Sequence, residues 1–399
     1  MELGIDRLLE EASLIRQLQE KRVGLLAHPA SVTKGLAHSM EALSQLGEFN
    51  MTCAFGPQHG MRGEKQDNMI ESVTYLDPSI KVPVYSLYGE VRRPTDEMLD
   101  RLDVMLVDLQ DVGCRIYTFL TTLFYVLEDC ARNHKSVWVL DRPNPAGRPV
   151  EGLLLEPGWE SFIGAAPVAM RHGLTLGEAA RWYVRHKNLD VDLQIIEMKG
   201  YHANGSPNYG WPHELSWVNP SPNMPRLTTV RAYAGTVLVE GTNLSEGRGT
   251  TIPLEVIGAP DIKAEKVLEE MKIVEPNWLK GCHLRPCYFE PTFQKHQGAL
   301  CSGIQIHCDA GFYNHLQFQP YRLVALFFKC VRRLYPEYDL WRQPPYEYEE
   351  HKMPIDILSG SDFLRNWVDD GHGEPEDLNK RLLAHEKQWE DARKPFLLY

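Results

Sequence analysis

Short, almost entirely apolar segments alternate with amphipathic segments through the first half of this sequence. Helical periodicity lies at residues 95–102, 118–133 and 175–187. The apolar segments have the length of strands and occupy residues 23–28, 51–55, 82–87, 104–109, 137–140 and 193–198. Apolar strands that alternate with helices are typical of a parallel sheet covered on both faces. The pattern therefore predicts an α/β fold with a mostly parallel sheet flanked by helices.

The later part of the chain has a different character. The 399 residues exceed the roughly 250–300 that one hydrophobic core usually serves, so two domains are expected. After residue 260, strand-like pieces at 282–289 and 302–307 precede a strongly apolar helix at 321–334. We therefore predict a larger domain over residues 1–258 and a smaller C-terminal α+β domain over residues 259–399.

Composition and charge exclude several classes of function. The formal net charge of -12 disfavours nucleic acid as a partner, because phosphate binding requires a basic face. No apolar run approaches the roughly 20 residues of a membrane helix, and the charged N-terminus shows no secretion-signal pattern. The eight cysteines include no CxxC pair, which argues against structural zinc and favours reduced thiols. These features predict a cytoplasmic protein and leave its oligomeric state open.

Three of the predicted strands end in clusters of polar residues. The second strand runs into GPQHGMRGE from residue 56, the fourth into QDVGCRIYT from residue 110, and the fifth into DRPNPAG from residue 141. Ligands of open α/β sheets bind at the carboxyl ends of the strands. We therefore place the candidate active site at this edge of the sheet.

The clusters supply side chains suited to acid–base chemistry and to binding a polar ligand. His59 can exchange a proton beside Gln58, and Asp111 and Asp141 supply carboxylates from the other two clusters. The alternative for each residue is structural, with a tight turn or helix start satisfying its own polar groups. Candidate ligand-binding residues from these clusters and from later polar segments are Arg62, Arg115, Tyr117, Asn144, Arg171, His172, Asn223, Asn243, Glu246 and Arg248.

The sequence shows no pattern of a cofactor or metal site. Its glycine-rich pieces match neither the phosphate-binding GxxxxGK[ST] pattern nor the dinucleotide-binding GxGxxG pattern. His59, Asp108, Asp111 and Asp141 have no HxH or HExxH spacing. We therefore expect a site that uses neither a cofactor nor a metal.

Six blocks of the sequence resemble the signature blocks of the NamZ-like exo-β-N-acetylmuramidases, a glycoside hydrolase family. The blocks follow that family's order and span most of the chain up to Pro260, and they are FGPQHGMRG (55–63), DLQDVGCRIYT (108–118), DRPNPAGRPVEG (141–152), SFIGAAPVAMRHGLTLGE (161–178), NPSPNMPRLTTVRAYAG (219–235) and VEGTNLSEGRGTTIPLEVIGAP (239–260). The remainder resembles the family more loosely. Six ordered blocks are far more specific than any single motif.

The resemblance implies a Rossmann-like catalytic domain followed by the smaller C-terminal domain. It implies that the protein hydrolyses a terminal N-acetylmuramic acid, or a related amino sugar, from the non-reducing end of peptidoglycan fragments. That sugar carries a lactyl carboxylate, which arginines are suited to clamp. Arginines available for this role are Arg62, Arg115, Arg171 and Arg248.

The chain departs from the family's first block, which usually reads GPEHG, because Gln58 stands where the expected catalytic glutamate lies. An amide cannot act as a carboxylic acid, and glycosidases usually need two carboxyl groups. Three alternatives follow. In the first, a nearby acid replaces the glutamate, with Glu71 preferred over Glu64 and Asp67. In the second, the remaining acids act on a different glycoside, and in the third the protein is a non-hydrolysing carbohydrate binder or regulator. Those remaining acids are Asp111, Asp141, Glu240 and Glu246.

Overall fold

Strands and helices alternate through the first half of the chain and regroup after it. A computed structural model describes residues 1–63, 65, 70–205 and 209–399. The strands are β1 (Arg22–Ala27), β2 (Asn50–Gly56), β3 (Tyr75–Leu76), β4 (Pro83–Ser86), β5 (Val104–Asp108), β6 (Ser136–Leu140), β7 (Glu151–Leu154), β8 (Ala169–Arg171), β9 (Leu193–Ile196), β10 (Val256–Ala259), β11 (His283–Phe289) and β12 (Cys301–His307). The α-helices are α1 (Gly4–Glu10), α2 (Ala12–Leu18), α3 (Ser39–Leu46), α4 (Asp96–Leu99), α5 (Phe119–Arg132), α6 (Leu176–Lys187), α7 (Leu227–Thr236), α8 (Ala264–Val274), α9 (Pro320–Leu334), α10 (Pro354–Ser359), α11 (Phe363–Asp369) and α12 (Pro375–Arg393).

A seven-stranded sheet forms the centre of the N-terminal part. Its strand order is β3-β4-β2-β1-β5-β6-β9, and the neighbouring strands are parallel except that β3 runs antiparallel to β4 at the edge. The predicted mostly parallel sheet is therefore confirmed. Each predicted strand of the first half has a counterpart in the sheet, and the two-residue edge strand β3 was not predicted. The strands β7 and β8 were not predicted either, and they pair antiparallel in a separate two-stranded sheet.

Helices cover both faces of this sheet, as its apolar strands require. Side chains alternate between the faces along a strand. Leu106 of β5 packs in one cluster with Leu8 of α1 and Leu43 of α3. Met105 and Val107, its neighbours in the strand, pack in another cluster that includes the inward residues of α5 and α6. Both faces of β5 are therefore buried.

The C-terminal part contains a second, smaller sheet. Three antiparallel strands lie in the order β10-β12-β11, and α8 and α9 pack beside each other near them. A C-terminal α+β unit is thus present. The predicted boundary between residues 258 and 259 falls inside β10, which pairs with β12. We therefore propose that the division lies before β10.

The last helix ties the two parts of the chain together. Helix α12 packs on β7, and its Trp389 donates a hydrogen bond from the indole N–H to the backbone oxygen of His172 at 2.9 Å. The C-terminal Tyr399 donates to the Asp141 carboxylate at 2.9 Å. These contacts fix the C-terminal part against the sheet. None of the helices in the described ranges is long and apolar enough to cross a membrane.

Candidate active site

A pocket lies where the carboxyl edge of the large sheet meets the C-terminal part of the chain. The loops after β2 and β5, the segment before α7, Tyr233 of α7 and residues that follow α7 contribute to its lining. The lining residues are Gln58, His59, Ile116, Tyr117, Thr118, Ile163, Ser221, Asn223, Met224, Tyr233, Glu240, Arg248, Leu254, Tyr346 and Glu347. Both parts of the chain therefore contribute to one site.

A tight turn after β2 brings Gln58 and His59 into this pocket. His59 and Gly60 follow each other at φ +69° and +77°, in the left-handed region that side chains rarely adopt. The turn closes with a hydrogen bond from the Gly60 N–H to the Pro57 carbonyl at 2.9 Å. A side chain at Gly56 would approach the backbone nitrogen of Met61 to 2.6 Å, so only glycine fits there.

Hydrogen bonds orient the two polar side chains of this turn. The Thr118 hydroxyl donates to Gln58 Oε1 at 2.8 Å, so the amide oxygen is used as an acceptor. His59 Nδ1 lies 2.8 Å from the carbonyl oxygen of Lys65. Because a carbonyl only accepts, Nδ1 carries the proton in this contact. Gln58 can donate to a ligand through its amide but cannot supply an acidic proton.

A buried network of ion pairs includes two further residues of the pocket lining, Glu240 and Arg248. Arg248 Nη2 donates to Glu240 Oε1 at 2.7 Å, and Arg248 Nε lies 3.2 Å from Glu246 Oε1. Lys295 Nζ lies 2.8 Å from the other Glu246 oxygen. Burial lowers the pKa of Arg248, but Glu240 and Glu246 outweigh it and hold that pKa above its ordinary value. Arg248 therefore stays protonated, and Glu240 and Glu246 lie against its guanidinium.

Glu347 is a second carboxyl in the lining, and it comes from a turn in the C-terminal part. Its residue is only 4% exposed, and its Oε2 accepts a hydrogen bond from the Tyr88 hydroxyl at 3.2 Å. Burial, and then the neighbouring Glu240, raise the pKa of Glu347 to about 7. The pocket thus contains one carboxylate paired with arginine and one carboxyl that favours its neutral form.

Five of the predicted site residues meet in this pocket: Gln58, His59, Tyr117, Asn223 and Arg248. Glu246 contacts the pocket residue Arg248, whose Nε lies 3.2 Å from Glu246 Oε1. Asp111 lies close enough to raise the pKa of Tyr117, although burial is the main cause of that rise. One Asp111 oxygen accepts from the Gly113 N–H at 2.7 Å and lies 3.2 Å from His172 Nε2. The catalytic role of Asp111 stays a prediction.

Asp141 and Asn144, at the end of β6, bind other parts of the protein. Asp141 accepts from the Thr175 hydroxyl at 2.7 Å and from the Gly177 N–H at 2.8 Å, both at the start of α6. Asn144 donates to the carbonyl oxygen of Leu174 at 3.0 Å. These contacts favour the structural interpretation of both residues.

Two buried arginines of the predicted clamp bind backbone carbonyl groups. Arg115 donates to the carbonyl oxygens of Leu153 and Val168 at 2.7 and 2.8 Å. Arg171 donates to the carbonyl oxygen of Ala146 at 2.5 Å. Both residues are only 1% exposed, so the geometry favours a role in joining loops over one in contacting substrate.

The remaining candidates lie nearer the surface. Arg62 stacks over the Tyr75 ring at 4.4 Å, and Asn243 donates to the Asp339 carbonyl at 2.8 Å. The Glu71 side chain is 53% exposed and accepts from Arg92 at 3.2 Å and from Tyr348 at 3.4 Å. These positions do not line the pocket described above. Glu64 and Asp67, the other two proposed substitute acids, lie outside the described residues.

Sequence reasoning did not identify Tyr233, Tyr346 or Glu347 as site residues. Tyr346 donates to Glu240 Oε2 at 2.8 Å, and all three residues line the pocket. The one available signal was the string PPYEYEE, in which two prolines precede acids between aromatic residues. In the part of the chain that the structure describes, no three His, Cys, Asp or Glu side chains are grouped to hold a metal ion.

Comparisons with known proteins cover the whole of this architecture. Residues 23–228 match the family model for the N-terminal domain of exo-β-N-acetylmuramidase NamZ, and residues 231–399 match that for its C-terminal domain. The peptidoglycan β-N-acetylmuramidase NamZ of Bacillus subtilis is 37% identical over 403 residues, which span 100% of this chain and 91% of that protein.

Two crystal structures of DUF1343 family proteins from Bacteroides fragilis have the same fold. One is 28% identical with a TM-score of 0.85, and the other is 24% identical with a TM-score of 0.74. In each case the superposition covers 100% of this chain and 98% of the other. The arrangement of the two parts is therefore shared with solved structures.

Proposed function

This chain belongs to the exo-β-N-acetylmuramidase NamZ family, and we propose that it removes a terminal N-acetylmuramic acid from peptidoglycan-derived fragments. The observation that carries the proposal is the full-length similarity to a peptidoglycan β-N-acetylmuramidase, in a chain that forms a carboxyl-lined pocket from both matched domains. The chain is accordingly a glycoside hydrolase, and the non-hydrolysing alternative is not favoured.

The pocket supplies groups that suit this sugar. Asn223 and the Gln58 amide offer hydrogen bonds to hydroxyl and N-acetyl groups, and Tyr117 and Tyr233 offer ring faces for the pyranose. Arg248 brings a guanidinium to the pocket, where we propose that it attracts the lactyl carboxylate. Of the four arginines considered for this role, Arg248 is the one in the pocket lining described above.

The chemistry requires two carboxyl groups in different protonation states. The pocket holds Glu240, which is paired with Arg248, and Glu347, whose burial favours the neutral acid. Asp111 lies close by, behind Tyr117. The amide at Gln58 therefore does not leave the pocket without acids.

The proposal is tested by comparing two 4-nitrophenyl glycosides that differ at the lactyl group. We expect the protein to release 4-nitrophenol from the β-N-acetylmuramide with a kcat/KM at least about 10-fold higher than from the β-N-acetylglucosaminide, because the lost charge-assisted contact costs a comparable factor. Each reaction is followed by absorbance under identical conditions. If the protein hydrolyses neither glycoside, the proposed activity is ruled out. If it hydrolyses both equally well, recognition of the lactyl carboxylate is ruled out.

We further propose that the substrate is a small amino-sugar fragment met in the cytoplasm. All eight cysteines are free thiols, and burial raises the pKa of several of them, such as Cys53 to about 11. Free thiols persist in a reducing compartment. Cell fractionation with an antibody against the native protein tests this location, and recovery outside the cytoplasm would contradict it.

A further inference from the structure

We propose that Glu347 is the proton donor to the glycosidic oxygen. The acid then comes from the C-terminal part of the chain and acts in the pocket that Gln58, in the turn after β2, also lines. This inference rests on the proposed glycosidase function and assigns a catalytic residue to it. It starts from three observations on Glu347: its place in the pocket, the turn that holds it there, and the groups that surround its carboxyl.

An unusual backbone turn presents Glu347 to the pocket. Tyr346 and Glu349 exchange two backbone hydrogen bonds, of 3.0 and 2.9 Å, across the turn. The two residues between them, Glu347 and Tyr348, have φ of +46° and +68°. Two successive positive φ angles are typical of a type I′ turn, where glycine and asparagine are preferred. A glutamate and a tyrosine in these positions favour a functional interpretation, because such strain is most often found at working sites.

Aromatic and cationic side chains hold this turn on both sides. The Arg92 guanidinium lies 3.6 Å above the Tyr348 ring, and that of Arg342 lies 5.2 Å from the Tyr346 ring. Tyr346 in turn donates to Glu240. The turn is therefore fixed to the pocket wall and to the segment after β4 that carries Arg92. A carboxyl held in this way is positioned before substrate arrives.

The surroundings of Glu347 differ from those of Glu240 in the way that an acid–base pair requires. Glu240 accepts from Arg248 and Tyr346, whereas the Glu347 carboxyl accepts from the neutral hydroxyl of Tyr88. Among the charged groups near Glu347, Glu240 raises the pKa of Glu347, and the guanidinium groups of Arg92 and Arg342 lower that pKa. Burial outweighs the arginines and leaves the pKa at about 7, which suits a general acid near neutral pH.

The proposed step moves one proton and breaks one bond. The protonated Glu347 carboxyl transfers its proton to the glycosidic oxygen while the bond between that oxygen and the anomeric carbon breaks. The oxygen keeps the bonding electron pair and leaves as an alcohol. Water adds to the anomeric carbon and loses a proton to solvent, and the Glu347 carboxylate regains a proton from solvent.

The test compares leaving groups that differ in their need for a proton. The substrates are the disaccharide of N-acetylmuramic acid β-linked to N-acetylglucosamine, whose leaving alcohol is weakly acidic, and the 4-nitrophenyl β-N-acetylmuramide, whose leaving phenol needs little assistance. We expect Glu347→Gln to lower kcat at least about 100-fold on the disaccharide and less than about 10-fold on the nitrophenyl glycoside. The alkaline limb of the nitrophenyl pH profile, near pH 7, should disappear in the same variant.

The control variants separate acid catalysis from a structural role. Glu350→Gln changes an exposed acid next to the same turn and should leave both rates unchanged. Glu347→Asp keeps a carboxyl with shorter reach and should lower kcat while retaining the alkaline limb, provided that its thermal unfolding matches the wild type. Equal losses on both substrates, or no loss on the disaccharide, would overturn the role of Glu347. A wild-type protein that hydrolyses neither substrate would instead overturn the proposed function, and this inference with it.

Discussion

Asp141 and Glu347 are both buried carboxyls whose pKa is raised to about 7, yet they lie in two very different regions. Asp141 ends β6 and accepts four hydrogen bonds from the protein, from the N–H groups of Arg142 and Gly177 and the hydroxyls of Thr175 and Tyr399. Glu347 accepts from Tyr88 and faces a pocket. A raised pKa therefore reports burial, and only the surroundings distinguish a carboxyl that holds the fold from one that can meet a substrate.

The same contrast applies to the whole carboxyl edge of the sheet. Asp108 ends β5, and its two oxygens accept from Arg142 Nε at 2.6 Å and Nη2 at 2.9 Å. Ser39, at the start of α3, donates to it as well. The strand-end carboxylates Asp108 and Asp141 thus connect neighbouring strands, helices and loops. The pocket carboxyls Glu240 and Glu347 come from segments that follow α7.

The largest expected effect comes from breaking the Asp108–Arg142 pair. Arg142→Ala would leave the Asp108 carboxylate, which is 0% exposed, without its bidentate partner. Removing one member of a buried pair typically costs about 3–5 kcal/mol, so we expect the free energy of unfolding to fall by that amount. Urea denaturation followed by circular dichroism measures the change.

Arg62→Ala provides the matched control for this experiment. Arg62 is an exposed arginine stacked on Tyr75, and losing an exposed contact of this kind costs roughly 1 kcal/mol or less. If the free energy of unfolding fell by the same small amount in both variants, the structural role assigned here to the strand-end carboxylates would be wrong.

A smaller effect is expected from Asp141→Asn. The asparagine NH₂ group is a donor, and it would face a donor from which Asp141 now accepts a hydrogen bond. A buried polar group without a partner costs about 1–3 kcal/mol. We expect this loss of stability in urea denaturation, together with a kcat per folded molecule within about threefold of the wild type. A fully folded Asp141→Asn protein without activity would restore the catalytic role that the sequence predicts for Asp141.

The sequence predicted the sheet well because local signals determine its parts. The apolar runs at the positions of β1, β5 and β6 match the strands to within a residue or two, since both faces of each strand are buried. Thr175 and Glu178 form a capping box that fixes where α6 begins. The turn at Gln58 and His59 was also placed correctly at a strand end, and the structure brings it to the pocket.

The same local signals could not tell which polar residues face the ligand. Asp141 looks like a catalytic acid in sequence, but the C-terminal Tyr399 occupies one of its oxygens from 258 residues away. Glu347 meets Tyr88 across 259 residues, and nothing in the pattern around it predicts that contact. Contacts between distant segments are decided by how the two parts of the chain pack, which periodicity and strand-end position do not encode.

The pH dependence of stability gives a further test of this comparison, because both carboxyls stay protonated to a higher pH in the folded state than in the unfolded state. Their ordinary pKa values are 3.8 for Asp141 and 4.5 for Glu347, and burial raises both to about 7. Between roughly pH 4 and 7 each of these two groups therefore binds more protons in the folded state than in the unfolded state, and its contribution to the free energy of unfolding falls as pH rises.

Each of Asp141→Asn and Glu347→Gln should remove the contribution of its own group to the slope of the free energy of unfolding against pH. The expected reduction in slope is at most about 1.4 kcal/mol per pH unit for each variant, measured by urea denaturation at pH 5, 6 and 7. Only Glu347→Gln should also remove the alkaline limb of the activity profile. A common effect of the two variants on activity would erase the distinction between the two regions.

The smallest effect is expected at Glu71, the acid that the sequence favours as the substitute for the missing glutamate. Its side chain is 53% exposed, and its contacts with Arg92 and Tyr348 are long, at 3.2 and 3.4 Å. An exposed ion pair contributes at most about 1 kcal/mol, and Glu71 contacts the turn that carries Glu347 through the Tyr348 hydroxyl. Glu71→Gln should therefore change kcat on the disaccharide by less than about threefold, because Glu71 does not line the pocket described above. A loss of 100-fold or more in Glu71→Gln, with little change in Glu347→Gln, would transfer the role of proton donor to Glu71 and place the reaction on the N-terminal side of the pocket.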